Sequence, residues 1–295
     1  MGIHDLPTDR ARTPAEDERG KLTVRREASA KRRRRRLSDL PGWLLASSTV
    51  VVLLVAWEAI VSALDISEIL LPAPTRIVQG LIDGFGSGSF GHHTLVTLQE
   101  IIYGFGIAVV VGMLIAIVIS SSRLAEKTLL PIIVVLQTVP KVALAPLFLV
   151  WFGFGMESKI LATALIAFFP ILVNSTLGFN SASNDQINMM KSFGATRRQV
   201  LTRLRLPSAV PSIVAGLDVA VVLSVIGAVV AEFVGSQAGL GYLILSSNTS
   251  LDVATMFAVL VILSAIGLVL HYAVVLIGRR LTFWSEENRA RNVTP

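Results

Sequence analysis

Long apolar segments alternate with short polar segments between residues 42 and 282 of the 295-residue chain. Because a helix needs about 20 apolar residues to cross the hydrocarbon layer of a membrane, this pattern predicts six membrane-spanning helices. They are expected at residues 42–63, 97–120, 128–151, 159–180, 209–232 and 253–278. The sequence therefore indicates an all-α polytopic membrane protein.

A polar segment, INMMKSFGATRRQVLTRLRLPSAVP at residues 187–211, separates the fourth and fifth predicted spans. Its pattern predicts two short helices that break at Gly194. Thr196 and Gln199 have the spacing of a capping box at the start of the second helix. We expect that helix to end at Pro207, because a proline ring interrupts helical hydrogen bonding. Residues 187–208 are called the polar hairpin below.

The polar hairpin is amphipathic. Its first helix places Ile187, Met190 and Phe193 on one apolar face, with Met189 beside them. Its second helix carries four arginines, which are Arg197, Arg198, Arg203 and Arg205. This combination favours a position at a surface.

The third predicted span differs from the others, because Pro131, Pro140 and Pro146 interrupt it and Gln137 and Lys141 lie within it. An irregular helix at membrane depth needs protein or a water-filled cavity to satisfy its freed backbone groups. We expect a broken helix beside a cavity. Pro170 predicts a kink in the fourth span near Asn174 in the same manner.

Four polar residues at depth are candidates for a translocation pathway, namely Gln137, Lys141, Asn174 and Glu232. A buried lysine is costly, so Lys141 either lines a pathway or it snorkels or forms a structural ion pair, with Glu232 as the expected partner. Gln137 and Asn174 either contact a solute or bridge helices.

Three other polar residues, Glu100, His92 and His93, are assigned no role in a translocation pathway. We expect Glu100 to lie at the membrane interface, and His92 and His93 to be solvated residues of a glycine-rich loop.

Small residues recur every four positions in two predicted spans. The second span has Ala108, Gly112 and Ala116, and the fifth has Gly216, Ala220, Ser224 and Ala228. Such faces let another helix backbone approach closely.

Composition and charge support a membrane location. The chain is 53% hydrophobic and 16% charged, and residues 1–41 hold 12 of the 26 Lys and Arg but only 7 of the 20 Asp and Glu. By the positive-inside rule, the basic run at residues 31–36 holds this tail in the cytoplasm and is not a nucleic-acid site. We predict a cytoplasmic tail at 1–41, a membrane domain at 42–282 and a second cytoplasmic tail at 283–295.

Several kinds of chemistry are not expected. The chain has no cysteine and four histidines, and His271 stands alone near the end of the last predicted span. No GxxxxGK[ST] loop is present, so the chain has no ATP site of that kind, and any driving ATPase is another chain.

The polar hairpin resembles the cytoplasmic EAA loop of permease subunits of bacterial ATP-binding-cassette (ABC) importers. The resemblance lies in Gly194, Ala195, the thirteen-residue step to Pro207, and Pro211. Residues 71–81, 139–160 and 231–244 are similar to the nitrate, sulfonate, taurine and thiamine-precursor group of that family. The similarity covers about residues 42–282. The family's Glu-Ala-Ala opening falls on residues 188–190, which are Asn, Met and Met here.

The resemblance implies a MetI-like permease fold in which two copies form the pore, as a homodimer or with a second permease. It implies that each hairpin docks on one of two ABC ATPase subunits, which bind ATP and Mg, while this chain binds no cofactor. The implied docking residues are Asn188, Met189, Met190, Phe193, Gly194, Ala195, Arg197, Arg198, Arg203 and Pro207. The arginines could instead contact lipid headgroups.

The resemblance also implies a bacterial inner-membrane location and alternating access, with solute delivered by a periplasmic or lipid-anchored binding protein. The expected solute is a sulfonate, nitrate, aromatic carboxylate or a heterocycle like a thiamine precursor. Two alternatives are a stand-alone secondary transporter or channel, which would show an inverted repeat, and a membrane enzyme, which would need a polar catalytic pair.

Overall fold

The computed structural model describes residues 42–283, and the two predicted tails, 1–41 and 284–295, lie outside them. The described residues form eleven α-helices. These are α1 (Gly42–Ala63), α2 (Pro74–Gly86), α3 (Ser89–Ser121), α4 (Arg123–Gln137), α5 (Ala145–Phe152), α6 (Met156–Phe179), α7 (Asn184–Ser192), α8 (Arg197–Val200), α9 (Leu206–Gly235), α10 (Leu240–Thr249) and α11 (Val253–Leu281). The chain divides after Leu64, so α1 belongs to one unit and α2–α11 form the other.

Five of the described helical stretches are long and apolar enough to cross a membrane: Leu44–Ala63, α3, α6, Arg197–Gly235 and α11. The third predicted span, residues 128–151, is broken. Leu124–Gln137 and Lys141–Phe152 meet at an angle of 81° and make a sixth span if they are counted together. A 3₁₀ turn, Lys141–Leu144, follows the break. The predicted interruption is confirmed at Pro140 only, because Pro131 lies inside α4 and Pro146 lies in the first turn of α5.

Helix α6 lies at the centre of the second unit, between α3 and α9. The small-residue faces of α3 and α9 both pack against it, as predicted. A side chain at Gly112 would meet the Ile171 side chain at 3.1 Å, and one at Gly216 would meet the carbonyl oxygen of Pro170 at 3.0 Å. Ala108, Ala167 and Ala220 are buried in the same cluster. In lipid, the hydrophobic effect does not drive helices together. Van der Waals contacts between these closely packed helices stabilise the bundle instead.

The bundle has two distinct ends. Helices α3 and α6 run in parallel, and α9 runs antiparallel to α6, since Gly178 packs against Ala209 while Lys159 reaches Ser236. The last residues of α3 and α6 therefore lie beside the first residues of α9 and the polar hairpin. This is called the hairpin end, and the opposite end is called the far end.

The capping box predicted in the polar hairpin is confirmed, whereas its first helix begins at Asn184, three residues before the predicted start. Thr196 and Gln199 form a capping box, and a second one, between Ser183 and Gln186, starts α7. Gly194 has φ +77°, a left-handed conformation that glycine adopts at little cost. The αL residue at this position reverses the chain between α7 and α8.

The prediction that Pro207 ends the second helix is wrong. Helix α8 continues through a π-helical segment, Leu201–Arg205, directly into α9, so residues 197–235 are one helical run. The wider π turn gives room for the ring of Pro207, which would otherwise clash with the carbonyl four residues earlier. The polar hairpin is thus joined to a membrane-spanning helix without a loop.

Candidate functional site

A cavity of about 600 Å³ lies where the broken span passes α6 and α9. It brings together Gln137, Lys141 and Asn174, three of the four predicted pathway residues. The Nζ atom of Lys141 lies 4.7 Å from the ring centroid of Phe169, which also lines the cavity. The broken helix and the cavity therefore occur together, as membrane physics requires.

Lys141 also serves the helix break. Its Nζ donates a 3.1 Å hydrogen bond to the carbonyl oxygen of Gln137, at the end of α4. Among the described residues, Lys141 forms no ion pair with a carboxylate. The side-chain amide of Asn174 donates to the carbonyl oxygen of Pro170, within its own helix. The lysine ammonium is thus held at the cavity by a carbonyl and an aromatic ring.

Glu232, the fourth predicted pathway residue, lies elsewhere. Its side chain is buried at the far end, where Thr97 Oγ1 donates to its Oε1 at 2.6 Å and the backbone N–H of Gly241 donates to its Oε2. The structure does not bring Glu232 to the cavity or to Lys141.

The expectation that Glu100 is interfacial is wrong. Glu100 is fully buried, and its Oε1 lies 3.3 Å from Nζ of Lys159. Helix α3 begins at Ser89 rather than near residue 97, so Glu100 is three turns inside the helix. The Glu232 carboxyl lies beside that of Glu100. Lys159 also donates to Ser236 Oγ at 2.6 Å.

Thr97, Glu100, Lys159, Glu232 and Ser236 form what is called the far-end network. It joins α3, α6 and α9 to the first residue of α10, because Thr97 Oγ1 also accepts from the backbone N–H of Leu240 at 2.7 Å. The sequence pattern did not indicate Thr97, Lys159 or Ser236 as site residues. Three ionisable residues at similar depths in apolar spans are the signal that indicates such a cluster.

His93 is not a solvated loop residue. It lies in α3, and its Nδ1 accepts a 2.9 Å hydrogen bond from the backbone N–H of Gly239. Its ring stacks on Tyr242 with centroids 5.7 Å apart. Gly239 has φ +114°, which favours glycine at this turn. His93 thus helps to hold the same loop as the far-end network.

His271 is not alone either. Its Nδ1 lies 2.5 Å from Oδ1 of Asp218, which joins α11 to α9. Both side chains are about one-third exposed. The sequence did not indicate this partner, because the two residues are far apart along the chain.

The polar hairpin exposes its apolar residues. Met189 is 58% exposed and Phe193 is 83% exposed, although both are large hydrophobic side chains. Met190, Ala195 and Pro207 are half-buried, whereas Asn188, Arg197, Arg198 and Arg203 are exposed. Arg205 differs from the other arginines, because it turns inward and donates to the carbonyl oxygen of Ser120 at 2.6 Å. The tip of the polar hairpin therefore exposes an apolar patch surrounded by basic side chains.

Residues 108–283 match the family model described as the inner-membrane component of binding-protein-dependent transport systems, and the chain belongs to this family. It is a permease subunit of an ABC importer for small solutes. Its part in transport is translocation rather than enzymatic catalysis.

Several named permeases are similar over most of their length. The formylaminopyrimidine transport permease of Halalkalibacterium halodurans is 37% identical over 238 residues, which cover 80% of this chain and 94% of that protein. The riboflavin permease of Chloroflexus aurantiacus is 35% identical, covering 80% and 88%. The taurine permease of Escherichia coli is 31% identical, covering 82% and 90%.

A solved structure supports the fold. An inward-facing MetNI methionine ABC transporter contains a chain that matches with a TM-score of 0.57 and 20% identity, over 64% of this protein and 94% of that chain. The predicted MetI-like all-α fold is confirmed.

Proposed function

We propose that this permease works as a homodimer with two ABC ATPase subunits and an outer binding protein, and imports its solute by alternating access. The observation that carries this proposal is the polar hairpin, which exposes Met189 and Phe193 just before the turn that leads into the continuous helical run 197–235. Exposed apolar side chains next to a long continuous helix are suited to bind a partner chain and to transmit its movement to the bundle. The hairpin end then lies in the cytoplasm, with both tails.

The docking contact is proposed to be mainly apolar. Met189, Met190 and Phe193 would fill a cleft on the ATPase, and methionine adapts well to irregular grooves. Arg197, Arg198 and Arg203 would surround this contact and pair with acidic residues of the partner. Asn188 cannot supply the carboxylate that the family places near the start of this motif, so the apolar residues contribute more of the binding energy.

The cavity beside Lys141 is proposed to be one half of the translocation pathway. Two copies related by a two-fold axis would place two such cavities against each other, which is consistent with the symmetry of most membrane and soluble oligomers. Gln137, Lys141 and Asn174 then line the path. Glu232, buried in the far-end network, supports the bundle beside the path rather than contacting solute.

The solute class proposed first is a small nitrogen heterocycle. The cavity is lined mostly by apolar residues, with the Gln137 and Asn174 side chains available for hydrogen bonds, and permeases for formylaminopyrimidine and riboflavin are among the similar proteins. A small organic anion is the second candidate, because Lys141 has no carboxylate partner among the described residues.

Competition between labelled solutes for uptake tests which of the two solute classes is transported. The complete transporter, purified with its ATPase and binding protein and placed in proteoliposomes, is given labelled pyrimidines, flavins and sulfonates. ATP-dependent uptake of a heterocycle that sulfonates do not compete away supports the first class. Preferential uptake of a sulfonate or nitrate supports the second class and contradicts the first.

A further inference from the structure

A second cavity lies at the hairpin end, apart from the cavity beside Lys141. It has a volume of about 740 Å³ and is lined almost entirely by polar side chains. Its walls come from the last turn of α3, the start of α4, the connection between α6 and α7, helix α7 itself, and Arg205 of the π-helical segment. Five separate parts of the bundle therefore meet around one polar space.

Two buried polar atoms beside this cavity have no partner among the described residues. They are the hydroxyl oxygen of Ser120, whose residue is only 5% exposed, and Nε of Arg205. Buried polar atoms are paired in the great majority of cases, so each unpaired atom requires an explanation. Both residues line the cavity, so a group bound there would be the nearest candidate partner for each atom.

The charge of the cavity wall favours an anion. Lys191 and Arg205 contribute two positive charges, and Glu126 contributes one negative charge. The Glu126 carboxylate already accepts a 2.8 Å hydrogen bond from the side-chain amide of Asn180, which partly satisfies it. The guanidinium of Arg205 is held in place by its bond to the Ser120 carbonyl. A fixed guanidinium is a strong recognition element for phosphate oxygens.

We propose that this cavity binds a phosphate-type oxyanion group, held by Arg205, Ser120 and Lys191. The shared chemistry is a tetrahedral group with several acceptor oxygens. It can come from the headgroup of an anionic phospholipid, which basic pockets at this membrane face are suited to bind, or from a free phosphate compound of the cytoplasm. The volume lies within the range of small-ligand sites and exceeds one phosphate ion.

The position of the cavity gives its occupant influence over the polar hairpin. Arg205 belongs to the segment that joins α8 to α9, and Lys191 belongs to α7, so the bound group would link both arms of the hairpin to α3. Hinge motions in proteins are absorbed by a few residues in loops or at the ends of helices, and this cavity is bounded by such residues. Occupancy is expected to hold the hairpin in one orientation relative to the bundle.

Binding is measured on the complete purified transporter. Native mass spectrometry after addition of phosphatidylglycerol, with phosphatidylcholine for comparison, reports retained lipid. Separately, hydrogen–deuterium exchange of residues 180–191 is followed as inorganic phosphate is added in lipid-depleted detergent. Ser120→Ala, Arg205→Gln and Lys191→Gln are compared with Arg280→Gln, which alters an exposed arginine outside the cavity.

The expected result is binding that Arg205→Gln weakens at least about tenfold, because a charge-assisted hydrogen bond is lost, whereas Arg280→Gln leaves it unchanged. Ser120→Ala removes a single oxygen and tests the site if Arg205→Gln folds poorly. Retention of phosphatidylglycerol identifies lipid as the source, and protection by phosphate alone identifies a free anion. Absence of both, or equal binding by all the variants, overturns the proposal. These readouts do not depend on transport.

Discussion

Removal of the Lys159 ammonium tests the far-end network. Lys159→Met keeps much of the side-chain volume but leaves Glu100 buried without the cation that lies 3.3 Å from its Oε1. Breaking a buried ion pair by removing one partner costs about 3–5 kcal/mol. The Glu232 carboxyl beside Glu100 adds repulsion when both are ionised. We therefore expect this single change to destabilise the bundle strongly.

The predicted loss is measured as a shift in apparent Tm of the detergent-purified protein. With about 2–4 °C per kcal/mol for chains of 150–250 residues, the expected decrease is roughly 6–20 °C. Lys127→Met is the matched control, since Lys127 is exposed at the start of α4, and its Tm should change by no more than about 2 °C.

A second variant separates charge from packing. Glu100→Gln combined with Lys159→Met removes both charges and should recover at least half of the lost Tm, because two neutral residues avoid the uncompensated charge. If Lys159→Met unfolds at the wild-type temperature, the buried pair has no such role. If the double variant is as unstable as the single one, loss of packing rather than charge explains the effect.

Three further changes test the polar hairpin and the cavity. Gly194→Val should reduce ATPase co-purification about tenfold, because a β-branched residue at φ +77° costs about 1–3 kcal/mol. Gly194→Asn should retain most of the co-purified ATPase, since asparagine tolerates this conformation. Equal ATPase co-purification by both variants would contradict a role for the left-handed turn. Phe193→Ser should lower ATPase co-purification without lowering the Tm of the permease, since this side chain is 83% exposed; a large fall in Tm would show a structural role instead. Lys141→Met should reduce uptake while leaving ATPase binding intact, and unchanged uptake would remove Lys141 from the pathway.

The sequence predicted the spans and the hairpin well because their signals are local. Apolar runs of about 20 residues mark helices in a membrane, and the Thr196–Gln199 capping box needs only three residues of separation. The broken third span was also predictable, because prolines act within one turn. The cavity beside Lys141 followed from the same break.

The remaining features depend on contacts between distant residues. The pairing of Glu100 with Lys159 requires the true start of α3, eight residues before the predicted one, and the parallel alignment of α3 with α6. Asp218 and His271 meet only because α9 and α11 are antiparallel neighbours. The predicted helix end at Pro207 was wrong because a π-helical turn just before it relieves the clash that normally ends a helix at proline. Neither of the two side-chain pairings follows from a local pattern.

We expect this chain to move solute only when a separate ATPase acts on its polar hairpin. The most direct measurement is solute uptake by proteoliposomes that contain the purified chain with or without the ATPase and binding-protein chains. We predict uptake that requires ATP and both partners, and that Phe193→Ser reduces strongly. Solute flux by this chain alone, without ATP, would contradict the account and support a channel or a secondary transporter.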